Sequence, residues 1–247
     1  MVTSLDPAID TVVLPTRELA MTAAAGAIVA AAKAAVDARG RFLLVLSGGS
    51  TPKALYTLLA TPAYSSLIDW SRAHVFWGDE RCVPPEDPAS NFRMAREALL
   101  DHVPVPAAQL HRMRGEDDPV RAAAAYEAVL RGLFPDGATR FDLVLLGMGD
   151  NGHTASLFPG LAAVRETVRP VVAEYVPEVS MWRLTLTPPA INAAAKVMFL
   201  VVGHDKAAML KQVLSGPRDP NRLPAQAIAP VRGELTWILD AAAAAAT

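Results

Sequence analysis

Short runs of apolar residues recur along the chain at Arg41–Leu46 (RFLLVL), His74–Trp77 (HVFW), Phe141–Leu146 (FDLVLL), Arg183–Thr187 (RLTLT) and Val197–Val202 (VMFLVV). Each has the length and composition of a strand. Helix-like segments lie between them, at Arg17–Ala38 closed by Gly40, Pro52–Ala60, Asn91–His102, Pro119–Leu133, and Asp205–Leu214 closed by Gly216. Such alternation builds an α/β protein, because a strand's apolar face must be covered by another layer. FLLVL and VMFLVV are apolar at every position, the pattern of parallel strands buried on both faces. The expected architecture is a doubly wound, mainly parallel sheet with helices on both faces. It is expected to form a single domain over residues 1–247, since the Pro-containing loops near 84–88, 104–106 and 215–224 are too short to serve as linkers.

Element ends are signalled by their chemistry. Thr51 and Asp118 each precede a proline in the first-turn position, and Ser90 reads as an N-cap. The alanines from 241 to 246, after Asp240, read as a short terminal helix that frays.

Composition narrows the function. A formal net charge of -2 over 247 residues, with no dense Lys/Arg run, leaves no electrostatic footprint for nucleic acid or an anionic membrane. A small-molecule ligand is the default, with no obligatory protein partner evident. The low-polarity stretch Ala20–Ala35 is Ala-rich and carries Lys33, which suits a half-buried helix better than a membrane span. Cys82 is alone and forms no internal disulfide, and the N-terminal MVTSLDPAID lacks the basic-then-apolar order of a leader, so a cytoplasmic protein is expected. The five histidines are scattered with no HxxxH pair, so no metal is expected.

Three strand ends carry chemistry. FLLVLSGGSTPKALY, residues 42–56, is a strand, a small-residue turn and a helix start; such a turn gathers backbone N–H groups at the sheet edge where phosphates bind. Ser47, Gly48, Gly49, Ser50 and Thr51 are therefore candidate phosphate ligands. The turn lacks the GxxxxGK[ST] and GxSxG spacings. Asp79, Glu80 and Arg81 follow HVFW, and an arginine there suits a phosphate or carboxylate. Gly147, Gly149 and Gly152 spell GxGxxG, yet they fall past mid-chain, after several α/β units, whereas a dinucleotide turn opens the first such unit. His153 also occupies that turn.

Taken together, LSGGSTPKALY, WGDERCVPPEDPASNFRMA, GMGDNGHTASLFPG, RLTLTPPAIN and VVGHDKAAMLKQVL, followed by ELTWILD as a final strand, resemble the 6-phosphogluconolactonase family, which is related to the glucosamine-6-phosphate deaminases. The resemblance implies a Rossmann-like fold of the sugar-phosphate isomerase/deaminase type. It also implies hydrolysis of a six-phosphorylated sugar lactone in the pentose phosphate pathway, without cofactor, by water that His153 activates as general base. By the same resemblance the Ser47–Thr51 turn, Arg81, Arg183 and Lys206 hold the substrate phosphate, Arg81 also serves catalysis, and Asp79 and Asp150 are possible supports. The family usually has Asp directly before the Gly of GHTAS. Here that residue is Asn151, which orients an imidazole but supplies no charge, so only an orienting role carries over.

Two rivals stand beside this reading. A deaminase-like sugar-phosphate enzyme is disfavoured by GHTASLFP, which lacks the Glu that the deaminase pattern brings before the Pro, and by DER in place of DEY. A sensor that binds a sugar phosphate without turnover is disfavoured by His153.

Overall fold

The computed structural model describes residues 10–134 and 140–247; the segment read for a leader lies, Asp10 apart, outside them. The chain runs β1 (Asp10–Leu14), α1 (Arg17–Arg39), β2 (Phe42–Leu46), α2 (Ser50–Leu59), α3 (Pro62–Ser65), β3 (Ala73–Trp77), β4 (Asp79–Arg81), α4 (Asn91–Ala98) and β5 (Leu110–His111). It continues through α5 (Pro119–Leu133), β6 (Leu143–Leu146), β7 (Val171–Val176), β8 (Met181–Leu186), α6 (Pro188–Asn192), β9 (Lys196–Val201), α7 (Ala207–Ser215) and β10 (Glu234–Asp240).

Seven strands form a sheet in the order β1-β10-β9-β6-β2-β3-β5, and its pairings are parallel. The unbroken apolar strands divide their side chains between two cores. Leu43 and Val45 of β2, Val144 and Leu146 of β6, and Val197, Phe199 and Val201 of β9 join α5, α6 and α7 on one face. Phe42, Leu44, Leu46, Leu143, Leu145, Met198 and Leu200 join α1, α2 and α4 on the other. At about 25 cal/mol per Å² of apolar surface, this double burial is the main stabilising term of the fold. Helix α1 is long and apolar enough to cross a membrane, but one face of it, with Ala20, Met21, Ala24, Ala25, Ile28, Ala31, Ala32 and Ala35, is buried in the protein core.

RLTLT does not join the parallel sheet. Its alternation marks a strand with two unlike faces, and β8 is the middle strand of a separate antiparallel sheet, β4-β8-β7. Asp79, Glu80 and Arg81 are accordingly strand residues and not a loop. Among the described residues strand β1 pairs with β10 alone and has no buried residue, and its apolar run, residues 12–14, is short.

Several boundaries differ from expectation for local reasons. Helix α2 begins at Ser50, capped by Gly49 at φ 108° and not by Thr51. Asp118 and Ser90 do cap α5 and α4, accepting from the N–H groups of Arg121 and Arg93. Helix α4 stops at Ala98, where Leu99 leaves helical geometry (φ −138°), and a tight 3-10 turn completes the stretch to His102. The alanine tail is a 3-10 turn, Ala243–Ala246, docked against α7; the Ala243 N–H donates to Asp240 Oδ1 at 2.7 Å, and Ala243 is fully buried.

Candidate active site

Strands β2 and β6 are neighbours at the centre of the sheet, and the chain leaves them towards opposite faces: α2 packs with the α1 side, while the segment after β6 feeds the other core. A parallel sheet opens a crevice at such a point, outside the carboxyl ends of its strands. The crevice here has a volume of about 360 Å³. Its wall includes Ser47, Gly48, Gly49, Ser50, Thr51, Asp79, Arg81, His153, Arg183 and Lys206. Of the sequence-derived candidates, Asn151 and Asp150 stand behind that wall and touch it through His153 and Lys206.

The α2 turn is held from behind. The Ser47 N–H donates to the Tyr56 hydroxyl, which donates to the Ser47 carbonyl, both at 2.8 Å. No side chain among the described residues caps α2, so its first N–H groups open onto the crevice together with the positive end of the helix dipole. Gly48 has no room for a Cβ because the Asn91 amide fills that space.

Pairing of β4 with β8 sets Arg81 directly opposite Arg183. Like charges facing each other across a ladder are unfavourable without an anion between them. The Nε of each is buried without a hydrogen-bond partner among the described residues. One Nη of Arg81 donates to the Ala89 carbonyl and to Asn91 Oδ1, both at 2.7 Å, which fixes its fork. Burial pushes the Arg183 guanidinium below its ordinary pKa, with Arg81 acting in the same direction and Asp79 against it. Lys206 follows β9 and is ion-paired with Asp150.

Alternation along β4 separates its acids. Asp79 faces the crevice, accepting from the Ser156 hydroxyl at 2.7 Å and the Asn91 amide at 3.2 Å. Glu80 points the other way. Its oxygens accept from the N–H groups of Asn91 and Phe92 at 2.7 and 2.8 Å, a carboxylate holding the N-terminus of α4.

His153 lies on Gly149, where its ring occupies the space of a Cβ, and stacks on Phe158 at 4.2 Å between centroids. The second and third glycines of GxGxxG thus serve the imidazole and the turn: Gly152 sits at φ 78° against Leu223 and Met209. His153 Nδ1 lies 2.6 Å from Asn151 Oδ1. An amide oxygen only accepts, so Nδ1 carries the proton and Nε2 keeps its lone pair. Burial pushes the imidazole below its ordinary pKa; Asp79 and Glu178 pull it up, Arg183 and Lys206 push it down.

A glucosamine-6-phosphate isomerase/6-phosphogluconolactonase family model matches residues 15–237. The chain belongs to this family. It is 45% identical over 215 residues, covering 85% of this chain and 87% of the other, to a 6-phosphogluconolactonase from Nostoc. Among solved structures, a 6-phosphogluconolactonase from Trypanosoma cruzi superposes with a TM-score of 0.86 at 31% identity, covering 98% of this chain and 97% of that one. A monomeric glucosamine-6-phosphate deaminase shares the fold at a TM-score of 0.82 with 20% identity, over 97% of this chain and all (100%) of that one.

Family membership does not say which residues hold the candidates in place. Asn91, Ser156, Tyr56 and Glu178, which hold Arg81, Asp79, Ser47 and Asn151, were not among the candidates read from the sequence. Asn91 and Ser156 lie inside the quoted motifs and were open to discovery there; Glu178 lies in none. Asp150 is committed to Lys206 and makes no hydrogen bond to the imidazole among the described residues. Burial pushes the Cys82 thiol up to about 11, which disfavours the thiolate a nucleophile needs. Among the described residues no group of three or more His, Cys, Asp or Glu side chains is placed to hold a metal ion.

Proposed function

We propose that this member of the family hydrolyses 6-phospho-D-glucono-1,5-lactone to 6-phospho-D-gluconate, with His153 as general base and the Ser47–Thr51 turn, Arg81, Arg183 and Lys206 as the anion-binding set. The observation that carries the reading is the opposition, within one crevice, of an imidazole whose Nε2 keeps its lone pair and two arginines that face each other across β4 and β8, the Nε of each without a hydrogen-bond partner among the described residues. A phosphorylated lactone needs both: fixed donors for its dianion and a neutral base for the water.

In the reaction, Nε2 takes a proton from water as its oxygen bonds to C1. The carbonyl electrons move onto oxygen, and the neighbouring cations offset that charge. Collapse of the tetrahedral species breaks the bond from C1 to the ring oxygen, and the imidazolium returns its proton to that oxygen. The acid product then ionises. A depressed imidazole pKa keeps His153 neutral, and therefore competent, at neutral pH. Asn151 orients the ring, and Asp79 and Asp150 support the cations. No step calls for a cofactor. A phosphorylated substrate, a lone cysteine and the burial of α1 all favour a cytoplasmic setting.

The test is acid release from freshly prepared lactone, measured against an enzyme-free control because the lactone opens unaided. Turnover above that control, with no ammonia from glucosamine 6-phosphate, is the expected result. Ammonia release without lactonase activity would make the chain a deaminase, and no turnover of either would make it a sensor.

A further inference from the structure

Asn151 poses a problem that an aspartate in its place would not. A carboxylate presents an acceptor to the histidine whichever way it turns, whereas an amide presents either an oxygen or an NH₂ group. With the NH₂ group forward, Nδ1 would have to accept and the proton would move to Nε2, which disables the base. Something must hold the amide oxygen-forward.

Glu178 does this. We infer that Glu178 is a positioning residue for the reaction proposed above, acting through Asn151 to set the tautomer of His153. Asn151 Nδ2 donates to Glu178 Oε2 at 2.9 Å, while its Oδ1 faces His153 Nδ1 at 2.6 Å and the His153 N–H at 3.1 Å. A flipped amide would put its oxygen against a carboxylate oxygen and its NH₂ against a backbone N–H, so both ends of the side chain oppose the flip. Carboxylate, amide and imidazole form one line, with the negative charge one residue further from the ring than an aspartate would place it. Such outer partners commonly set the orientation of a functional histidine.

Only the tertiary structure delivers this residue. Glu178 lies in the tight turn Pro177–Val179 joining β7 to β8, and Ser180 at φ 48° turns the chain back into β8. The β7–β8 hairpin carries that turn to the crevice, where Glu178 forms part of the wall. The charged groups facing the imidazole are Asp79, Glu178, Arg183 and Lys206, with Asp150 behind Lys206, so Glu178 also offsets part of the effect of burial and cations on the ring.

The experiment compares Glu178→Ala, Glu178→Gln and the double variant Glu178→Ala/Asn151→Asp in the full chain, with kcat and KM for the phosphorylated lactone taken across pH. Glu178 is exposed, so these changes spare the core. Glu178→Ala frees the amide, and kcat is expected to fall about tenfold or more, the usual cost of losing an outer partner, without a rise in KM. Glu178→Gln keeps an acceptor for Asn151 Nδ2, so kcat stays within about twofold of the parent at the optimum. Its acidic limb of kcat/KM moves to lower pH because a charge favouring imidazolium is gone. The double variant recovers kcat, since an aspartate needs no partner to face Nδ1 with an acceptor. Parental kcat and pH profile in Glu178→Ala, or a loss that Asn151→Asp does not repair, overturns the inference. Failure of the underlying reading looks different: His153→Ala would then keep its kcat, whatever the Glu178 variants do.

Discussion

The molecule holds two partly buried histidine sites that share a direction of pKa shift and little else. At the sheet edge, His74 of β3 and His111 of β5 stack at 5.4 Å, with His111 also against Phe76 at 4.5 Å. Gln109 Nε2 approaches His74 Nε2 at 3.4 Å, and His74 Nδ1 lies 3.1 Å from His111 Nε2. An amide NH₂ only donates, so the protons run from Gln109 to His74 to His111, and both rings are neutral acceptors. Burial pushes His111 down to about 4 and His74 down as well, as it does His153. In the crevice the same penalty is countered by Asp79 and Glu178 and leaves a free Nε2. At the edge no carboxylate among the described residues counters it, and the nitrogens serve each other. The direction of the shift alone therefore does not tell the two sites apart; the partners and the free lone pair do.

Exchanging roles between the two sites is the strongest way to break this comparison. His153→Ala should lower kcat by about 10² or more, whereas His111→Phe should leave it within about twofold. Equal losses in steady-state assays would mean that the edge pair serves catalysis or that His153 does not.

Cations come next, since the crevice has them and the edge pair's hydrogen-bond chain does not. Arg183→Ala should raise KM for the phosphorylated lactone about tenfold, with a much smaller effect on a non-phosphorylated analogue. Lys206→Ala should do the same to a lesser degree, because Asp150 already neutralises part of its charge. Equal losses on the two substrates would show that neither side chain reads phosphate.

Asn151→Asp sharpens the comparison by placing a full charge beside one ring only. It favours imidazolium, so the acidic limb of kcat/KM should move up by about one pH unit or more. Exposed Glu178 can turn to solvent away from the new carboxylate. A superimposable profile in a folded, active variant would show that residue 151 does not sense the ionisation.

The edge pair should act on stability instead. A histidine depressed in the folded state contributes its full stability above its unfolded pKa of about 6.5 and loses it as pH falls towards the folded value. With His111 at about 4, stability should decline on acidification from about pH 6.5 to 4. His111→Phe should flatten that slope in denaturant titrations, and an unchanged slope would assign it elsewhere. Chelation should have the smallest effect, none, on activity; a loss restored by a divalent ion would contradict the reaction as written.

Much of this was legible in the chain. The strand runs, the prolines and caps opening helices, the glycine turn after β2 and the histidine turn after β6 are contiguous signals, written by backbone stereochemistry and by residues a few positions apart. Even the two cores follow from the unbroken apolar runs Phe42–Leu46 of β2, Leu143–Leu146 of β6 and 197–201 of β9, since alternate side chains must then go to opposite faces. The start of α2 was less legible, because Thr51 looks like a cap and the conformation of Gly49 is what moves the helix start to Ser50.

What only the tertiary structure decided is which side chains meet. Arg183 opposes Arg81 because β8 left the parallel sheet to pair with β4, and alternation along β4 put Asp79 and Arg81 towards the crevice and Glu80 towards α4. Asp150 went to Lys206, and Asn151 found its charge in Glu178, 27 residues away at the tip of a hairpin. No local pattern encodes such encounters. They depend on strand register and loop path, which burial of the two cores imposes on the whole chain at once, while the polar residues carried along take whichever partners that packing brings within reach.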